Sequence, residues 1–220
     1  QGHAHLVEMG IMGPLTETST VQEQELGIRS RDQTDLFVRR IGPREAARGR
    51  LLWVHGFAEH SGRYVATLRW FAERGFDCWM VDLRGHGRSG GRRTFIRQFD
   101  DYLDDMEAFY RYVAQQAPEP LPQFGLGHSM GGLVLGRTLQ ARLDRLGTLR
   151  GGVILSPFLG VKVKLPGWKV AAAKVMSRIV PSFALPSDLD HSALSKDPEV
   201  GRAYAEDPLV VEHATARWYT

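Results

Sequence analysis

Apolar and polar positions alternate, then change period, in a regular order along the chain. "TVQEQELGIRS" roughly alternates, and "TDLFVRRI" follows after Arg31-Asp32-Gln33, which predicts two strands around a turn over residues 20–41. "RLLWVHG" is a short apolar run ending in glycine, the mark of a buried strand. "RYVATLRWFAERG" then places Val65, Leu68, Phe71 and Ala72 at helical spacing, with Gly75 as a stop. "FDCWMVDLRG" is a second buried strand. Residues 99–117 return to the helical period through Phe99, Tyr102, Leu103, Met106, Phe109, Tyr110 and Val113. "LPQFGLG" predicts another strand. Leu135, Leu139, Leu143 and Leu146 mark a helix, and "GGVILSP" a further strand. Buried strands alternating with helices imply an α/β fold with a mostly parallel, doubly wound sheet covered on both faces.

The rhythm breaks after Pro157. Val170, Ala173, Val175, Met176, Ile179 and Val180 fall on or near one helical face, with Lys169, Lys174 and Arg178 elsewhere. Residues 182–220 are polar, rich in Asp, Ser and Pro, and carry no clear strand pattern. This segment reads as a helical cap over the sheet, its apolar helix either packed as core or presented as a lid to a greasy substrate or lipid surface. The expected organisation is residues 1–19 as a tag or disordered N-terminus, 20–156 as the core and 157–220 as the cap.

Composition narrows the function. The 220 residues suit one sizeable core. The net charge of +3 comes from scattered arginines, with no basic helix and no aromatic platform, so nucleic-acid binding is not expected. Cys78 is the single cysteine, so no intrachain disulfide forms, and it reads as a small core hydrophobe. No run spans a bilayer and no secretory pattern opens the chain; the expected location is cytoplasmic or peripheral to a membrane. His3 and His5 read as an expression remnant rather than a metal site. Asp100, Asp101, Asp104 and Asp105 read as a solvated helix face that complements the dipole rather than as metal ligands. No metal or cofactor is expected.

The chemistry concentrates in "FGLGHSMGGLVLG", residues 124–136, where Ser129 stands between Gly127 and Gly131. Gly-x-Ser-x-Gly between a strand and a helix is the nucleophile-elbow pattern: a sharp turn lifts the serine hydroxyl above the sheet, and small neighbours permit the close approach. The following helix points its N-terminus at the site, so the amide of Met130 favours an oxyanion. "VHGFAEHSGRY" supplies a second donor, the backbone N–H of Phe57, with His55 bracing the loop rather than acting as base. Gly85, Gly87 and Gly90 in "DLRGHGRSGG" match a dinucleotide fingerprint, but no helix follows at once, so a tight structural loop is the better reading.

Together, "HGFAEHSGRY", "DLRGHGRSGG" and "GHSMGG", in that order and spacing, resemble the monoacylglycerol lipase and lysophospholipase branch of the α/β-hydrolases. "SALSKDPEVGRAYAEDPLV" resembles the end of that family's cap. The resemblance spans roughly residues 20–215 and implies Ser129 as nucleophile with the Phe57 and Met130 amides as oxyanion hole. Ala58 departs from the glycine common there, which stiffens that loop. The fold's chain order is nucleophile, acid, histidine. Only His191 and His213 follow Ser129, both in the cap-like segment and neither after a strand. The catalytic Asp and His are therefore expected outside this chain. So is the C-terminal part of the fold, and the strand near Val153 should present an open apolar edge. A second polypeptide completing the fold is the expected partner, alongside a lipid-like ester substrate and transient membrane or micelle contact through the cap. The expected activity is a serine carboxylester hydrolase, a monoacylglycerol lipase acting through an acyl-enzyme. The alternatives are a lysophospholipase or broad esterase and, from another class, a non-catalytic ligand-binding protein on the same scaffold.

Overall fold

The computed structural model describes residues 20–117, 120–146, 149–160, 167–187 and 194–218. The expected tag region, residues 1–19 with His3 and His5, lies outside the described residues, and so does His191. Among the described residues, six strands form the main sheet in the order β1-β2-β4-β3-β5-β6. β1 (Val21–Arg29) and β2 (Asp35–Pro43) form an antiparallel hairpin, and β2 runs antiparallel to β4 (Phe76–Val81). β3 (Gly49–Val54), β4, β5 (Gln123–His128) and β6 (Leu149–Leu155) are parallel. Val54 registers with both Val81 and Gly127, so the loops leaving these three strands emerge together at one sheet end. That is where an open parallel sheet places its ligands.

The pleat explains both cores. Leu51 and Trp53 of β3 join Cys78 and Met80 of β4 on one face, under Leu68 and Ala72 of α1 (Val65–Ala72). Leu52, Val54, Trp79 and Val81 point to the other face. They pack against Tyr102, Met106 and Phe109 of α2 (Asp100–Gln116) and Met130 and Val134 of α3 (Met130–Arg142). Strands buried on both faces are why these runs read as continuously apolar rather than alternating. Cys78 packs as expected; burial pushes its thiol up to about 12, and neighbouring Asp77 adds to this.

Two expectations need correction. The aspartates of α2 are not a solvated face. Asp101 and Asp105 are buried, and both oxygens of Asp105 accept from Arg84, at 2.8 Å from Nε and 2.6 Å from Nη2. Arg84 lies in the loop after β4, far away in sequence, so helical period alone could not reveal the partner. Only Asp100 and Asp104 keep to the outer side, where Arg142 meets them. Among the described residues no cluster could hold a metal ion. The second correction concerns residues 182–220, where the pattern predicts no strand. β7 (Ala184–Pro186) pairs antiparallel with β8 (His213–Thr215), a ribbon too short to show a period. α4 (Gly167–Ile179) and α5 (Pro198–Ala205) supply the helices of this region. Val175, Ile179 and Val180 of the expected apolar face are exposed.

At the far side of the sheet, β6 pairs among the described residues with β5 alone. Val153, Ile154 and Leu155 are 45%, 42% and 43% exposed, which is unusual for an apolar strand of a parallel sheet.

Candidate active site

Ser129 sits at the turn between β5 and α3 with φ 51° and ψ −117°, a left-handed φ that a side chain adopts only under strain. Its surroundings over-determine that conformation. The Ser129 N–H donates to the Leu155 carbonyl at 2.9 Å, and its own carbonyl accepts from the N–H of Phe158 at 3.0 Å. A Cβ on Gly131 would collide with the carbonyl oxygens of Val54 and His55, and one on Gly127 would lie 2.8 Å from the Cα of Gly132. Only glycine fits at these two places. The Met130 amide opens α3, where backbone N–H groups have no intrahelical partner.

The loop after β3 lies beside this turn. Buried His55 braces it, as expected: Nε2 accepts from the Leu83 N–H at 2.9 Å, which leaves Nδ1–H to donate to the Gly56 carbonyl at 2.7 Å. Burial holds its basicity below the ordinary value, and His86 beside it is lowered to about 3 by burial and by His55. Both are neutral structural rings. Among the described residues no protein acceptor takes the Phe57 N–H. The Phe57 ring packs 4.1 Å from Trp218, and Trp218 stacks 6.0 Å from Phe158. An apolar wall thus stands next to the serine.

A polar cluster that the motifs did not reveal joins the two loops. The Glu59 carboxylate oxygen Oε1 accepts from the Gly56 N–H and the Tyr64 hydroxyl, each at 3.0 Å, and from His128 Nδ1 at 3.1 Å. Burial would raise the Glu59 carboxyl, but His128 and Tyr64 outweigh it and hold it down. The same hydrogen bond raises His128, against the desolvation that would lower it. A sequence signal existed: Glu59 and Tyr64 belong to the same motif, and His128 directly precedes the serine.

Among the described residues no hydrogen bond joins the Ser129 hydroxyl to a histidine. His213 pairs with Pro186 in the β7–β8 ribbon, and His191 lies outside the described residues. Gly85, Gly87 and Gly91 all have positive φ, and the Gly85 N–H closes on the Gly90 carbonyl at 2.8 Å. The glycine-rich segment after β4 is a tight loop, with no helix until Asp100.

Residues 45–220 match the family described as serine aminopeptidase, S33. The chain belongs to this family, among its monoacylglycerol-lipase-like α/β-hydrolases. It is 36% identical over 163 residues to a monoacylglycerol lipase of Mycolicibacterium smegmatis, covering 74% of this chain and 56% of that protein. It is 33% identical over 167 residues to the phospholipase YtpA of Bacillus subtilis, covering 76% of this chain and 62% of the relative. The crystal structure of the Paleococcus ferrophilus monoacylglycerol lipase superposes with a TM-score of 0.68 at 33% identity, covering 83% of this chain and 66% of that one. The chain therefore spans somewhat more than half the length of the curated relatives it matches.

Proposed function

We propose that this serine hydrolase cleaves single-chain acyl esters, monoacylglycerols first among them, through an acyl-enzyme on Ser129. The carrying observation is the strained turn: a serine held at φ 51° between a strand and a helix N-terminus. Its hydroxyl attacks the ester carbonyl, and the Phe57 and Met130 amides stabilise the oxyanion of the tetrahedral intermediate. A histidine takes the serine proton and passes it to the leaving alcohol, and an aspartate orients that histidine. Water then releases the fatty acid. We assign both residues to polypeptide outside this chain, either its continuation or a second fragment. Support comes from the β6 edge, unpaired among the described residues, and from the share of the relatives' length that the chain covers. No metal or cofactor enters this chemistry.

Residues 20–156 form the core in this reading and 157–220 the cap. Val175, Ile179, Val180 and Phe183 are exposed there, which favours transient contact with a micelle or membrane surface. Among the described residues no helix is long and apolar enough to cross a membrane. The phospholipase relative favours a second reading, in which the head group is a lysophospholipid's.

The test is hydrolysis of a monoacylglycerol, a lysophospholipid of equal acyl length and a short soluble ester by the complete protein and its S129A variant. The reading predicts the largest kcat/KM for the monoacylglycerol and loss of all three activities in S129A. A lysophospholipid preference establishes the second reading. Binding without turnover by wild-type protein would leave only a ligand-binding role.

A further inference from the structure

The loop that carries Phe57 is held from two sides. The sheet side is accounted for by His55, Leu83 and Glu59. On the other side stands the segment after α5, residues 207–218, which grips the loop at three nearby positions. The Val211 N–H donates to the Ala58 carbonyl at 3.2 Å. The Trp218 ring covers Phe57 at 4.1 Å. His60 Nε2 meets Asp207 Oδ2 at 2.8 Å, across 147 residues of sequence.

The last contact has a defined polarity. His60 is 6% exposed, and its Nδ1 accepts the Gly62 N–H at 3.1 Å, so Nε2 carries the proton and donates to Asp207. The other Asp207 oxygen accepts the Leu209 N–H at 2.9 Å. Each partner is therefore oriented by its own local turn before it meets the other. Ala58, between Phe57 and His60, is completely buried at φ 65°, a conformation in which alanine persists only when its neighbours enforce it. A loop under such strain relaxes once released, and its relaxation moves the Phe57 amide.

We propose that Asp207 and His60 are positioning residues for acyl transfer, a clasp by which the cap holds the Phe57 amide in register with the Met130 amide. The proposal rests on the esterase reading of Ser129. It makes the cap part of the oxyanion machinery as well as a cover over the substrate. The clasp touches no reacting atom; it fixes the loop whose N–H does. Oxyanion donors act on the transition state, so loosening one lowers kcat more than it raises KM.

The test uses two variants of the complete protein that break the clasp and spare the local turns. In H60N the asparagine oxygen replaces Nδ1 as acceptor for Gly62 N–H, since asparagine is a favoured N-cap, but cannot reach Asp207. In D207N the retained oxygen serves Leu209, while the amide NH2 faces the His60 Nε2–H, donor against donor. Rates are measured per fluorophosphonate-titrated site on an ester and on the matching thionoester, whose sulfur is too large and too weak an acceptor to profit from the hole. Both variants are expected to lower kcat on the ester by about 10- to 100-fold, with KM changed by less than about threefold. The thionoester rate should fall far less, so the ester-to-thionoester ratio collapses. A variant that loses stability but keeps the ratio, or that loses both rates equally, overturns the clasp while leaving the esterase reading intact. A wild-type protein that takes no label overturns both.

Discussion

At the scale of single residues, the turn around Ser129 depends on missing side chains. Gly131 faces two backbone carbonyls, which cannot move aside as a side chain would. Gly131→Ala should cost about 3 kcal/mol of stability or abolish the strained turn altogether. Gly136, further along α3, has room: an added methyl would meet only the Ile154 Cδ1, at 3.5 Å. Gly136→Ala should stabilise by roughly 0.5–1 kcal/mol through helix propensity. Chemical denaturation of the two variants checks the contrast; equal effects would mean that close approach does not shape the turn. Asp105 makes a parallel case for charge. Removing it takes two charge-assisted hydrogen bonds from the buried Arg84 guanidinium and leaves it with Asp32, at the surface, and the Ser30 hydroxyl; Asp105 and Asp32 together hold its proton more firmly than usual against the burial that would loosen it. Asp105→Ala should cost about 2–3 kcal/mol. Asp100→Ala, on a side chain that is 60% exposed, should cost under about 1 kcal/mol. Similar losses at both sites would contradict the burial-based distinction.

At the scale of elements, the Glu59–His128 contact couples the β3 loop to the end of β5, and it titrates. His128 is raised above its ordinary 6.5, so its contribution to stability is complete below that pH and is lost as pH rises through the raised value. Glu59 is lowered below 4.5, so its share is complete above 4.5 and is lost as pH falls through the lowered value. The stability gap between wild type and H128A should therefore be widest and level between 4.5 and 6.5, and narrow on either side. Urea unfolding across that range measures it. A gap that widens with alkalinity would reverse the assigned sign. Contacts of this kind mark the limit of what the chain reveals before folding. Strands and helices are legible because their apolar periods are long, and Ser129 because its glycines are adjacent. Glu59–His128, Arg84–Asp105 and His60–Asp207 join positions 69, 21 and 147 residues apart, and no local period encodes them. The β7–β8 ribbon is hidden for a simpler reason: three residues per strand are too few to alternate.

At the scale of the whole molecule, the sheet and the cap meet over one end of the parallel strands. The Arg217 Nε reaches the Arg97 carbonyl at 2.8 Å, and the Thr215 hydroxyl the Thr94 carbonyl at 2.7 Å, so the cap's last ribbon is fastened to the loop before α2. Among the described residues the opposite flank is open, with the apolar strand β6 at its edge. On the proposed reading these two features belong together: this chain supplies the nucleophile and its oxyanion donors, and the base and acid arrive with the polypeptide that covers β6. Denaturing intact-mass spectrometry of the purified complete protein, before and after a fluorophosphonate, tests that claim most directly. It reports every polypeptide present and any covalent adduct, and peptide mapping locates the label. The account predicts one adduct, on Ser129, formed only when this chain is accompanied by or continuous with further sequence. An adduct on residues 1–220 by themselves would show that the base lies within this chain, and no adduct on the complete protein would show that Ser129 is not an activated nucleophile.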